Sequence, residues 1–379
     1  MKNRQNPFVS IGYRDPKHFC DRADETRQLN EFMMQGVHVT LFSIRRLGKS
    51  GLIHHVFYPY RKSSNVTCVY MDILASNNLA EFVNQLATTI YNQFPKQSAF
   101  GKKALALLQS LRPTISFDEL TGKPTLSLTL ETPEQKAQTI NNLLHFLDQQ
   151  GERIIFAIDE FQQILSYPEK NVEALLRTSM QQMQNTSFIF SGSNQKMMHE
   201  IFNSAKRPFF ASCMPMQLDF ISKEAYSAFI VKKFQENKRS ITQESVDFIC
   251  EWTRRHTFFT QYMCATVFAK HNEQVVLDDV REVANRILKL SEPNYYQYKN
   301  LLTSAQWNLL CAIAKAEQVH HPQSKKFIQT FKLGTPALVK RGLDALLEKQ
   351  LIFFNSSVEE PYYEVYDKFL MRWIQHTQR

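Results

Sequence analysis

The sequence has no C-x-x-C pair. Its six cysteines, Cys20, Cys68, Cys213, Cys250, Cys264 and Cys311, stand far apart. That spacing excludes a disulfide scaffold and a zinc ribbon, and it fits free thiols in a reducing compartment. No uninterrupted apolar run approaches the ~18 residues of a membrane span, so no membrane partner is expected. The start, MKNRQNPFVSIGY, has no apolar signal core, and a cytoplasmic protein is the expectation. There is no internal repeat and no low-complexity tract. No Ser-His-Asp or nucleophilic cysteine pattern stands out. The histidine pairs His54-His55 and His320-His321 are adjacent in sequence. Adjacent residues on a helix point about 100° apart, so neither pair makes a chelate, and both read as structural or solvent-facing.

What is present is an ordinary soluble composition. The chain has 379 residues with 43% hydrophobic and 29 Phe, enough for two or three domains with a sizeable core and too apolar for disorder. The net charge of +9 permits nucleic acid or acidic surfaces as partners. The lysines and arginines are spread along the chain, however, and such a diffuse excess reads first as solubility.

Along the chain, DRADETRQLNEFMMQG reads as a helix stopped by Gly36. VHVTLFSI is a β-rich apolar run, RRLGKS a loop and SGLIHHVFYPY a helix. NVTCVYMDIL is a second buried strand, and LAEFVNQLATTIYNQF an amphipathic helix. TISFDELTGKPTLSLTL alternates around a Gly-Lys-Pro turn, which predicts a β-hairpin inserted at about 112–131. A helix over 134–150 leads to RIIFAIDE, a third strand; SFIFSGSN is a fourth and MQLDF a fifth. Strands alternating with helices predict an α/β fold with a parallel sheet covered on both faces. Residues 222–291 read as four successive helices, with SEPN and its Pro293 marking a boundary. The last segment reads helix, helix, two short strands and a closing helix, the order of a winged helix. The expected division is a core over 1–220, an all-α helical lid over 221–293 and a winged helix over 294–379.

The chemistry centres on SIRRLGKSGLI, Ser43 to Ile53. A phosphate loop reads G-x-x-x-x-G-K-[ST], and here Ser43 stands where the first glycine belongs. The rest is in place. Gly48 supplies the last turn, Lys49 the cation for the β/γ-phosphates, Ser50 the hydroxyl for Mg²⁺, and Gly51 a close backbone approach. Strand before and helix after complete the context. Downstream, IIFAIDE is an apolar strand ending in Asp159 and Glu160. Asp159 at a strand end suits the Mg²⁺ shell, and Glu160 suits orienting or deprotonating the attacking water. An ordinary strand followed by a solvated Asp-Glu turn is common, but the two motifs in this order point to a nucleotide site of the P-loop NTPase kind. SFIFSGSN adds Ser193 and Asn194 beside Glu160, as γ-phosphate or water contacts or as a plain polar turn.

These residues resemble the S-P-R-R-x-G-K-[ST]-S-L-I loop of the archaeal-type ATPase family, among the signal-transduction ATPases with numerous domains and related to AAA+ and origin-recognition ATPases. The resemblance covers nearly the whole chain. NPF (Asn6 to Phe8) and FCDRADE (Phe19 to Glu25) are similar to its opening F-x-G-R-x-x-E, with Asp21 where glycine is usual. AIDEFQQI, FIFSGSNQKMM, KRPFF and the C-terminal segment also match. The resemblance implies ATP binding, slow switch-like hydrolysis and a lid that closes over nucleotide. One departure stands out: the lid's usual G-x-P is Arg255-His256-Thr257 here, either substitutes for the nucleotide contact or a solvated helix-end cluster.

Other candidates keep two readings. Arg45, Arg46 and Leu47 line the loop, and the arginines meet phosphate, a neighbouring subunit or solvent. Arg207 is an arginine finger or a surface charge before Pro208. The expected recognition helix TPALVKRGLDALLEKQ offers Lys340, Arg341 and Lys349 but also Asp344 and Glu348, with Lys325 and Lys326 just before it. DNA is therefore a candidate partner, and a regulatory or protein-binding winged helix, including self-association, is favoured slightly. The functional expectation is a Mg²⁺-dependent ATP-binding protein and slow ATPase acting as a conformational switch. The alternatives are an origin-recognition type of DNA-binding ATPase and a nucleotide-binding scaffold without turnover.

Overall fold

The computed structural model describes residues 6–63, 65–94, 99–119, 121–149, 151–270, 273–356 and 358–377. The first five residues, Leu120 in the expected hairpin turn, and Gln150 and His271 at expected helix ends lie outside the described residues. The chain forms two compact units, one over Asp15–Leu218 and one joining the described parts of 1–14 and 219–379.

The first unit opens with α1 (Ala23–Met34), which stops as Gly36 takes a left-handed turn at φ 78°. There follow β1 (Val39–Phe42), α2 (Lys49–Phe57), β2 (Val66–Asp72), α3 (Leu79–Gln93) and α4 (Ala99–Ser110). The hairpin is β3 (Thr114–Phe117) and β4 (Pro124–Ser127). Next come α5 (Pro133–Asp148), β5 (Arg153–Asp159), α6 (Val172–Gln181), β6 (Thr186–Gly192), α7 (Gln195–Asn203) and β7 (Met214–Gln217). Helix α5 starts with Thr132 as N-cap, Pro133 in the first turn and a capping box closed by Gln135. The fifth strand begins two residues before the expected MQLDF, because Met214 and Pro215 pair with Val39 and Thr40.

The sheet is all parallel, in the order β2-β5-β6-β1-β7. Successive side chains on a strand face opposite ways, so each central strand feeds two cores. Ile154, Phe156 and Ile158 of β5 join Phe188 and Phe190 and the helices α3, α5, α6 and α7. Ile155, Ala157 and Ile189 join Val39 and Leu41 and the helices α1 and α2 on the other face. A phenylalanine cluster knits the first face, with Phe161 4.4 Å from Phe190 and 5.4 Å from Phe209. Gly192 ends β6 where a Cβ would come within 2.4 Å of both Gln162 and Met198, so any larger residue there would force those two side chains to move. The hairpin strands are antiparallel, Thr114 opposite Ser127 and Phe117 opposite Pro124. Helix α4 has no counterpart among the elements expected from the sequence.

The second unit contains α8 (Lys223–Glu236), β8 (Ser240–Ile241), α9 (Gln243–Trp252), α10 (Thr257–Lys270), β9 (Gln274–Val275) and α11 (Leu277–Leu301). Residues near the N-terminus belong here: Phe8 packs on Phe234 at 5.7 Å and Phe268 at 6.0 Å, and Asn6 donates to Ala265 O at 2.8 Å. Helix α11 continues through Pro293, where the sequence suggested a break. The missing helical bond falls on an exposed face, and the far end is anchored by Tyr295 5.5 Å from Trp373, whose Nε1 donates to Glu292 Oε1 at 3.1 Å. The winged helix then runs α12 (Ser304–Ala316), α13 (Lys325–Phe331), α14 (Pro336–Glu348), β10 (Ile352–Asn355), β11 (Tyr362–Val365) and α15 (Lys368–Thr377). Between the two helices read from the sequence lies a further short helix, α13. Among the described residues no helix is long and apolar enough to cross a membrane.

Candidate nucleotide-binding site

The strand order brings three C-terminal edges together. In register, Phe42 lies beside Gly192, and Asp72 beside Asp159. The residues just past β1, β5 and β6 therefore meet at the sheet's carboxyl end, the place where open α/β sheets bind ligands.

Past β1 the chain turns through Arg46 at φ 57° and Gly48 at φ 110° and enters α2. Gly48 is the N-cap and has no side chain to cap the helix, so the first amides of α2 are left for a ligand. The turn at Gly48 is one that an L side chain rarely adopts. Ser43 takes no such conformation and is fully buried. Its Oγ accepts from Lys49 Nζ at 3.3 Å and donates to Ile44 O at 2.8 Å. The serine that breaks the phosphate-loop pattern thus supplies the partner of the loop's lysine. A Cβ at Gly51 would meet Phe19 at an ordinary 3.5 Å, so packing does not demand glycine there. Leu47 is buried and Arg45 and Arg46 are exposed.

Lys49 is only 5% exposed. Burial holds its ammonium below the usual lysine range, Arg45 adds to the depression, and Glu160 and Asp159 oppose it. Asp159, 2% exposed, accepts from Ser50 Oγ at 2.5 Å and from Tyr70 OH at 2.6 Å. Burial pushes its carboxyl up, but the hydroxyl donors and the Lys49 charge outweigh that and hold it below the usual range. Glu160 sits at φ 56°, a left-handed turn for a residue with a side chain. Its Oε2 accepts from Ser193 Oγ at 2.7 Å and Gln162 Nε2 at 2.5 Å. Asn194 caps α7, accepting from Met197 N at 3.1 Å.

The structure therefore gathers Ser43, Lys49, Ser50, Asp159, Glu160 and Ser193. Arg207 is engaged elsewhere, donating to Glu173 at 2.7 Å and pairing with Glu200. His54 and His55 pack on rings, 4.4 Å from Tyr70 and 4.2 Å from Phe19. In the second unit, His256 is fully buried against Phe220, Phe259 and Tyr366, which corrects its reading as part of a solvated cluster.

Four residues escaped the sequence reading. Tyr70 holds Asp159, and Asp72 stands beside it with its carboxyl raised by burial and by the charges of Asp159 and Glu160. Gln162 holds Glu160. Arg22, 4% exposed, donates to Leu47 O at 3.4 Å and pairs with Glu25 at 2.6 Å, tying the opening segment to the loop. The only signal for Tyr70 is a phenol near the end of a parallel strand, since a buried tyrosine hydroxyl needs a partner.

The donor set fits Mg²⁺. A hydroxyl and a carboxylate oxygen, both hard donors, stand 2.5 Å apart beside a buried lysine. Among the described residues no three His, Cys, Asp or Glu gather as a protein-only metal cage, and Mg²⁺ bound with phosphates uses few protein ligands.

Comparison with known proteins bears on the family and the fold. The model described as "ATPase domain predominantly from Archaea" matches residues 19–254, and that described as "Probable winged helix domain" matches 293–376. No curated protein matches. Among solved structures, the Walker-type ATPase PABY2304 of Pyrococcus abyssi superposes with a TM-score of 0.66 at 16% identity, covering 97% of this chain and 99% of that one. The Aeropyrum pernix ORC2 protein, in ADPNP–ADP complexes, gives 0.54 at 12% identity over 100% and 97%. The Aeropyrum pernix ORC1 protein, in complex with DNA, gives 0.52 at 12% identity over 96% and 94%. These likenesses share the fold, a P-loop ATPase core with a winged helix after it. With more than half of its length matched, the chain belongs to the family of ATPase domains found predominantly in Archaea.

Proposed function

We propose that the protein binds ATP with Mg²⁺ at the loop from Ser43 to Gly51 and hydrolyses it slowly, bound nucleotide acting as a switch between conformations. The observation that carries this reading is the Ser50–Asp159 contact at 2.5 Å beside the buried Lys49. Lys49 is already out of water, so its attraction for a phosphate is little screened and no further desolvation of the lysine is needed. The open amides of α2 add to the pull on the phosphates, and Arg45 and Arg46 extend it at the loop's outer side. Ser50 and Asp159 would hold Mg²⁺, which would supply positive charge against the phosphate oxygens. Glu160 takes the proton of the attacking water. With Oε2 bound to Ser193 and Gln162, the oxygen left for that proton is Oε1. Ser193 and Asn194 orient the water and the γ-phosphate side. The two ion pairs of Arg207 favour a structural role for it; acting as a finger would mean exchanging Glu173 and Glu200 for phosphate.

The test is to denature the purified protein and identify what is released. ADP or ATP is expected, together with Mg²⁺-dependent rebinding. Protein that releases none and binds none on titration contradicts the reading.

A second reading is that the winged helix binds DNA, the ligand named for the ORC1 neighbour. Lys325 and Lys326 on α13 and Lys340 and Arg341 on α14 are all exposed, as phosphate contacts must be.

A further inference from the structure

The hairpin takes no part in the nucleotide site. Strand β4 is held on its far side by α3. The amides of Leu126 and Leu128 donate to Thr88 Oγ1 at 2.9 Å and Asn84 Oδ1 at 2.8 Å, and Leu126 is buried. Strand β3 is exposed at every residue, Ile115 at 50% and Phe117 at 69%. Among the described residues no strand pairs with its outer edge.

The register fixes which groups that edge presents. Thr114 faces Ser127 and Ser116 faces Thr125, and in the same register Asp118 N donates to Lys123 O at 2.9 Å. Antiparallel pairs alternate between hydrogen-bonded and non-bonded. Thr114, Ser116 and Asp118 are therefore the bonded set, and Ile115 and Phe117 turn their N–H and C=O groups outward. The amides of Leu126 and Leu128, leaving β4 on its far side, agree with that alternation. Pro113 offers a carbonyl and no N–H.

We infer that this edge pairs with itself: two copies of the chain join β3 to β3, antiparallel, about a twofold axis at Ile115. Ile115 then faces Ile115 of the second copy, and the two exchange both backbone bonds. Each Phe117 N–H reaches the Pro113 carbonyl across the axis, giving four bonds in all. The missing proline N–H marks where the pairing stops. On one face the two Ile115 side chains and the Phe117–Pro113 pairs form a continuous apolar strip. On the other face Thr114 meets Ser116; Arg112 precedes the strand in a left-handed turn at φ 50°, so it approaches Asp118 by the reach of its long side chain and not by strand pairing. Arg112 is exposed and has no ion pair among the described residues. Asp118 Oδ1 accepts from Thr121 N and Oγ1, both at 2.7 Å, which fixes the carboxylate at the strand's end. A shift of one residue would set Ile115 against Ser116 and separate the apolar groups onto opposite faces. The edge is thus complementary to itself in hydrogen bonding, apolar surface and charge, and its occupant is a second copy. The contact is smaller than the ~1,200 Å² of a stable interface, so the dimer is weak, with a dissociation constant on the order of 10–100 µM.

Sedimentation velocity of the full chain tests this over about a 100-fold concentration range around that value. Wild type should shift from monomer to dimer. Ile115→Pro removes the N–H at the axis, which the β3–β4 ladder does not use, and should raise the dissociation constant about tenfold or more. Ile115→Lys keeps the N–H but sets two ammonium groups face to face, and should do the same; it decides the matter if Ile115→Pro melts early. Added salt should weaken the wild-type dimer and strengthen that of Arg112→Glu, where like charges meet. A monomer throughout, a dimer unchanged in both Ile115 variants, or the same salt response in Arg112→Glu would each overturn the proposal.

Discussion

Lys49 sits in surroundings that penalise its charge, and a phosphate would remove the penalty. Its ammonium is held below the usual range when the site is unliganded, and a bound phosphate favours the charged form. Above that depressed value, binding must take up a proton, so ATP affinity should fall as pH rises through it. Calorimetry in buffers of different ionisation enthalpy reads the proton directly; no uptake at alkaline pH would show that Lys49 does not face phosphate. Glu160→Gln keeps shape without a base and should keep ATP binding while lowering turnover about 10²-fold or more. Normal hydrolysis in that variant would move the water to other groups, Asn194 first. The residues that carry these expectations were legible because their pattern is local: strand, loop, G-K-S, and an apolar strand ending in Asp-Glu. Tyr70 was not, because its bond to Asp159 exists only through the β2–β5 register, which no short stretch of sequence encodes.

Two elements keep a backbone shape without the residue that usually serves it. The family-like opening segment has Asp21 where glycine is usual, at φ 54°, and the turn before α10 has Arg255 in the place of the glycine of G-x-P, at φ 57°. Thr257 opens α10, where proline would fit. The altered motif therefore retains the turn and the helix start. Left-handed backbone costs a side-chain residue about 1–2 kcal/mol, and glycine gives back roughly 0.5–1 kcal/mol in chain entropy. Arg255→Gly should accordingly stabilise the protein by about 0.5–1 kcal/mol, and Asp21→Gly by less, since aspartate tolerates this region. Thermal melting distinguishes them; a drop in Tm for Arg255→Gly would mean that its side chain contributes more than its backbone costs. The core strands, the hairpin and the four successive helices that open the second unit after residue 221 were readable from periodicity. The passage of α11 through Pro293 was not, because packing against Trp373 overrides the local signal. The burial of His256 likewise depends on rings distant in sequence, Phe220 and Tyr366.

At the scale of the molecule, a P-loop core and a winged helix are joined in one chain, and the partner of the winged helix is the remaining functional choice. Neutralising Lys325, Lys326, Lys340 and Arg341 takes away the cations for up to about four phosphates and should flatten the salt slope of DNA binding by roughly 0.9 for each phosphate no longer neutralised. Tight wild-type binding that disappears in this variant would establish DNA as the ligand; no binding by wild type at low salt would leave the winged helix a regulatory or protein-binding element. The central claim concerns the loop itself, and calorimetric titration of ATP into wild type and Lys49→Ala, with and without Mg²⁺, tests it most directly. The account predicts saturable binding by wild type that strengthens with Mg²⁺ and is abolished in Lys49→Ala. Equal affinity in the two proteins would contradict it.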